Sequence, residues 1–161
     1  MLPEVQEFVS RIDDLRRQVK ETVEGLDAQG LNWTPLGQDT NSMAVLMTHL
    51  AWTERFWTRQ VIGGVDIGRN RDAEFTARAA GPAELEALQD QAGQDTREAL
   101  DPLTLEQLRE QRTAIGRTLT VQGCLLYLIE HLAGHLGHMQ LTRQMYDQKI
   151  TGSQPERARV R

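Results

Sequence analysis

The sequence predicts an all-α protein, a four-helix bundle with long crossover loops. Three observations carry that expectation. Apolar residues recur at steps of three or four in four separate stretches, the period of an amphipathic helix. No stretch shows the alternation of a half-buried strand. Two long connections suit a bundle with crossovers rather than tight turns throughout.

The first stretch holds Val5, Phe8, Ile12, Leu15, Val19, Val23 and Leu26, one apolar stripe on a helix of about 25 residues. Pro3 suits its first turn. Gly30 and the run Asn32-Trp33-Thr34-Pro35-Leu36-Gly37 end it, and Thr40, Asn41 or Ser42 can cap a second helix that runs to Gly63-Gly64. Between Gly63 and Gly81 the chain carries Arg69, Arg71, Asp72, Glu74 and Arg78 with no sustained period. A connection of this length either crosses over the fold or serves function. Gly81-Pro82 opens a third helix with the thin stripe Leu85, Leu88, Ala92 and Leu100, expected to be the most exposed of the four. Asp101-Pro102 breaks it, and Thr104-Leu105-Glu106-Gln107 has the form of a capping box for one or two extra helical turns. From about Thr120 the positions Cys124, Leu125, Leu128, Leu132, Leu136, Met139 and Met145 mark a last long helix that persists to roughly Lys149. Residues 1–150 thus read as one domain, and 151–161, with Arg157, Arg159 and Arg161, as a flexible, solvated tail.

Composition narrows the function classes. The 39% hydrophobic content excludes the 13 glycines, so a real core is possible. The longest apolar run, Cys124 to Ile129, is far short of the ~18–20 residues that cross a bilayer, and the N-terminus lacks a charged segment followed by an apolar one. No membrane role and a cytoplasmic location are expected. The single cysteine, Cys124, cannot form an intrachain disulfide or a paired-thiolate zinc site. A net charge of −5 opposes the attraction to phosphate backbones on which nucleic-acid binders rely.

The histidines carry the chemistry. Three of the four, His131, His135 and His138, fall on the last helix. At 100° per residue, His135 lies about 40° from His131 and His138 about 20° to the other side, so all three share one face with Cys124 and Leu128. The fourth, His49, stands on the inward stripe of the second helix with Ser42, Val45, Leu46, Trp52, Thr53 and Phe56. An i, i+4 imidazole pair and a third from a facing helix offer three nitrogen ligands to a divalent metal, with positions left for water or substrate. The same placement also suits hydrogen-bonded core histidines with no metal. The H-E-x-x-H motif of zinc proteases is absent, as are the paired Glu-x-x-His motifs of di-iron bundles. Cys124 lies two turns below His131, roughly 10 Å along the axis, which makes it a core thiol rather than a ligand. His138 suits a fourth ligand, a supporting donor or a substrate contact. Glu130 and Glu54 point about 100° and 140° away from their histidine faces, toward solvated or supporting roles. Trp33, Trp52 and Trp57 read as core and interface anchors, and the loop arginines as solvated.

The order Leu31-Asn32-Trp33-Thr34-Pro35, then Asn41-Ser42 opening a helix with His49, then Glu130-His131-Leu132-Ala133-Gly134-His135-Leu136-Gly137-His138 resembles the DinB-like superfamily of metal-dependent four-helix bundles. The resemblance runs from about Leu2 to Tyr146 and includes the loop Arg69-Asn70-Arg71-Asp72-Ala73-Glu74-Phe75. It implies that His49, His131 and His135 hold a divalent metal and that His138 stands where many relatives have Gln; an open imidazole site accepts Zn, Ni, Fe or Mn. It further implies a homodimer and a small-molecule substrate. Characterised relatives include transferases and isomerases that work with low-molecular-weight thiols such as mycothiol or bacillithiol. The expected function is therefore thiol-dependent transfer or hydrolysis on a small electrophile at a three-histidine metal site. The alternative is a non-catalytic, metal-binding stress-response dimer.

Overall fold

Pro3, whose missing N–H costs nothing in a first turn, starts helix α1 (Pro3–Glu21). This is a computed structural model, and it describes residues 1–152. Val5, Val9, Ile12, Leu15 and Val19 form the buried stripe of α1. The helix stops five residues short of the expected Leu26, because the chain turns at Gly25, whose φ of +72° suits glycine. Val23 and Leu26 remain in the core. A turn thus presents them at helical spacing. Arg143 satisfies the carbonyls left open there, donating from Nη1 to the backbone oxygens of Thr22 and Glu24.

A one-turn helix, α2 (Ala28–Leu31), follows, capped by the Asp27 carboxylate, which accepts from the Gly30 N–H. A Cβ at Gly30 would meet the Tyr146 ring at 2.8 Å, so glycine permits this close approach to the last helix. Ser42 caps α3 (Met43–Arg55), its hydroxyl accepting from the Val45 N–H. The helix continues as a π-helical segment, Phe56–Ile62, and ends at Gly63 and the positive-φ Gly64. Within the long connection Asn70 caps a single turn, α4 (Arg71–Glu74). The long helix α5 (Pro82–Leu100) comes next. It is not the most exposed of the long helices, since seven of its 19 residues are buried against six of 19 in α1. Its thin apolar stripe misleads because Gln89, Asp95 and Thr96 share the buried face.

The capping box forms as expected: the Thr104 N–H donates to Gln107 Oε1 and the Gln107 N–H to Thr104 Oγ1, followed by one turn of 3-10 helix. After it the chain forms a hairpin the sequence reading did not anticipate, β1 (Gln111–Ala114) antiparallel to β2 (Arg117–Thr120). Its strands alternate only weakly between exposed and half-buried, so no apolar period announces them. Thr120 then caps α6 (Val121–Thr151), which closes at Gly152 in the left-handed conformation. The expected tail begins inside this helix, and 153–161 lie outside the described residues.

The four long helices form a ring in which α1 packs on α5 and α6, and α3 packs on the same two. Consecutive long helices α1 and α3 are therefore diagonal neighbours, joined across one end of the bundle. The architecture is the expected helical bundle with one small two-stranded addition. Among the described residues no helix is long and apolar enough to cross a membrane.

Candidate metal centre

His49 sits one helical turn above Thr53 on the inward face of α3, directly opposite α6. Across the bundle His131 and His135 project from successive turns of α6. The three side chains each offer a nitrogen, and these nitrogens lie within 4.8 Å of one another. His49 Nε2 is 3.1 Å from His131 Nε2. The rings stand edge to face, with the His131 and His135 centroids 4.6 Å apart.

The long connection supplies what holds His49. Glu74, buried at the end of α4, lies with Oε2 2.8 Å from His49 Nδ1. A carboxylate accepts, so Nδ1 carries the proton and Nε2 is left as a lone pair facing His131 and His135. Arg69 grips the same carboxylate with two bonds, Nε to Oε1 at 2.5 Å and Nη2 to Oε2 at 2.8 Å, and donates to Thr53 Oγ1 as well. Burial alone would raise the Glu74 carboxyl, but the bonds from Arg69 and His49 outweigh it and hold it below its ordinary range. The reading of the loop arginines as solvated fails for Arg69. Neither residue shows a period in the sequence; the signal was the Arg-Asn-Arg-Asp-Ala-Glu-Phe segment within the family resemblance.

Burial pulls His131 and His135 down to about 4, and the neighbouring imidazoles add to the effect. His49 is lowered too, burial winning over the opposing pull of Glu74. All three rings are therefore neutral near neutral pH, the form that binds metal. Among the described residues His135 Nδ1 is buried without a hydrogen-bond partner, a desolvated nitrogen left uncompensated.

The family-model comparison matches residues 7–148 to mycothiol-S-transferase. The chain belongs to the mycothiol-S-transferase family. Two solved structures share the bundle. A DinB-like protein from Bacillus subtilis superposes with a TM-score of 0.63 at 21% identity, over 92% of this chain and 93% of that one. A conserved protein from Enterococcus faecalis gives 0.72 at 16% identity, over 95% and 100%. No curated protein matches the chain.

The donor set in this member of the mycothiol-S-transferase family fits a divalent cation: three neutral imidazoles, one with its tautomer fixed by a carboxylate, converging from two helices. The remaining sequence candidates sit elsewhere. His138 is exposed, its ring 5.4 Å from that of His135, outside the three-nitrogen cluster. Cys124 is fully buried, and burial pushes its thiol above the ordinary value. Glu130 is exposed. Glu54 is not solvated: it is buried, paired with Arg16 of α1 and accepting from Thr96 Oγ1 of α5 at 2.6 Å. Trp57 is a core residue, while Trp33 is half-buried against Tyr146 and Trp52 lies under the Arg55 guanidinium.

Beside the histidines opens a cavity of about 470 Å³. His49 and His131 form part of its wall, with Phe56, Trp57 and Tyr127 as apolar surface. The π-helical segment lets α3 present Phe56, Trp57 and Gln60 to it in succession.

Proposed function

We propose that this protein is a metal-dependent thiol S-transferase in which His49, His131 and His135 hold one divalent cation, Zn, Ni, Fe or Mn. The observation that carries the reading is the convergence of three neutral imidazoles at the edge of a cavity large enough for a small molecule. A cation held there would lower the pKa of a thiol brought to it and supply positive charge beside the reacting sulfur.

The chain's own residues do the rest. Glu74 keeps the Nδ1 proton on His49 and so keeps Nε2 free to ligate; Arg69 keeps Glu74 charged and oriented. Phe56, Trp57 and Tyr127 give the cavity an apolar wall that excludes water from the sulfur and receives a small electrophile. Cys124 cannot be the nucleophile, since it is inaccessible and its thiol is held protonated. It is also the chain's one cysteine, so a transferable sulfur comes from a low-molecular-weight thiol cosubstrate. The thiol gives up its proton to solvent, its sulfur forms a bond to an electrophilic carbon, and the bond broken is that carbon's bond to a leaving group, which departs with the electron pair. Dependence on a free thiol places the reaction in the reducing cytoplasm, and the family resemblance adds a homodimer.

Elemental analysis of untagged protein purified without chelator, followed by thiol-conjugation assays across a panel of thiols and electrophiles, tests this. About one divalent ion per chain and conjugation abolished by chelation are expected. A protein that loads metal yet neither transfers a thiol to nor hydrolyses any electrophile of the panel leaves only the non-catalytic reading, and one that loads none removes both. Sedimentation velocity reports the dimer.

A further inference from the structure

The β1–β2 hairpin packs against the π-helical end of α3 and the start of α6, at the mouth of the cavity. Its register, Ala114 opposite Arg117, leaves Ile115-Gly116 as a two-residue turn. Both residues have positive φ, +46° at Ile115 and +74° at Gly116, which makes the turn type I′. Asn or Asp normally takes the first of these positions, because a short polar side chain tolerates the left-handed region. A β-branched residue there is a true outlier.

Ile115 is, among the described residues, the one non-glycine residue with positive φ. It is also 61% exposed, so burial within this chain does not offset the strain or the contact of its side chain with water. What the residue does have is position: it lines the cavity with the apolar Phe56, Trp57 and Tyr127, while Asp66, Arg69 and Arg71 form a charged part of the same wall. Two residues on, Arg117 lays its guanidinium over the Tyr127 ring at 5.2 Å. Tyr127 in turn stacks on His131 at 6.3 Å and 20°. The hairpin tip is therefore tied to the cavity wall rather than free in solvent.

We infer that Ile115 is a specificity-determining residue that closes over the apolar part of a small ligand carrying an aromatic or aliphatic group in the cavity. This rests on the cavity being the substrate pocket of the transferase proposed above. The ligand's apolar group fills the space between Ile115 and the Trp57–Tyr127 wall, and only then is the Ile115 side chain removed from water. Ligands without such a group gain nothing from the contact.

The test uses metal-stripped full-length protein, so that it stands apart from catalysis. Binding of 4-nitrobenzyl alcohol, a neutral aromatic quencher, is followed by tryptophan emission, with Trp57 in the cavity wall as reporter. Saturable quenching is expected for wild type. Ile115→Asn, which suits the type I′ position and removes the apolar contact, should keep or raise the melting temperature and weaken binding roughly five- to tenfold. Ile115→Val should recover affinity to within about threefold of wild type. Equal affinity of wild type and Ile115→Asn, equal losses in both variants, or no saturable binding by wild type overturns the inference. So does an Ile115→Asn effect seen only in sedimentation, which would assign the tip to a contact between copies. Metal content is measured on the same preparations: failure to load metal sinks the transferase reading, while the quenching titration still decides the role of Ile115.

Discussion

Glu74 does not line the cavity, yet it sets the state of the residue opposite His131. Replacing it by Gln keeps an acceptor for His49 Nδ1 but removes the charge that Arg69 pairs with. Metal affinity should fall about 10–100-fold, as for other carboxylates behind a ligating histidine; a competitive chelator titration measures it, and unchanged affinity would mean that Glu74 merely fills space. The histidines themselves predict a pH dependence. Folded, His131 and His135 titrate at about 4, against an ordinary 6.5. Between those values the unfolded chain binds more protons, so the contribution is complete above 6.5 and is lost as pH falls toward about 4. Urea midpoints of chelated protein across that window should fall more steeply for wild type than for a His131→Gln/His135→Gln variant. Parallel slopes would contradict the burial of these rings. Finally, Ala at His49, His131 or His135 should each reduce metal binding severely, and His138→Ala much less, since His138 lies outside the cluster. Equal losses at His138 and His131 would show that the ligand pair on α6 is not His131 and His135.

At the scale of elements, the long amphipathic segments were legible because burial writes a period into the sequence, and the caps Ser42 and the Thr104–Gln107 box because their chemistry is local. What stayed hidden has no such period. The end of α1 hid behind Val23 and Leu26, which are buried from a turn, and the hairpin behind strands with no fully buried face. The buried face of α5 hid because it is partly polar, and its partner is equally unreadable locally: Glu54 on α3 is bound by Arg16 from α1 and Thr96 from α5, three elements meeting at one buried carboxylate. Burial pushes that carboxyl upward against the pull of Arg16. Gly93 makes room for the guanidinium, since a Cβ there would stand 2.6 Å from Arg16 Nη1. Gly93→Ala should therefore destabilise by about 2–4 kcal/mol in urea unfolding, the cost of a broken buried pair less the gain in helix propensity. A stabilisation of about 1 kcal/mol, the value for a solvated helix, would show that the pair does not depend on that space.

For the molecule as a whole, the histidines lie beside a core that does not need them: Ile12, Leu15, Leu50, Leu100, Leu125, Leu128 and Met139 are fully buried, or nearly so, and come from all four long helices. Chelation should leave far-ultraviolet circular dichroism unchanged. It should lower the unfolding free energy only by the binding term, about 3 kcal/mol relative to metal at a hundred times its dissociation constant. Loss of helix on chelation would favour the closed, structural site of the non-catalytic reading. The ring order of the helices also sets a timetable for synthesis. His49 and His131 are separated by 82 residues of chain, which at ~5–20 residues per second means that His49 leaves the ribosome about 4–16 s before its partner. The carbonyl of Thr22 waits longer still, for Arg143, 121 residues downstream. Until α6 emerges, the half-built bundle has one of the three imidazoles and an uncovered apolar seam, so the three-nitrogen cluster exists only once the last helix has docked.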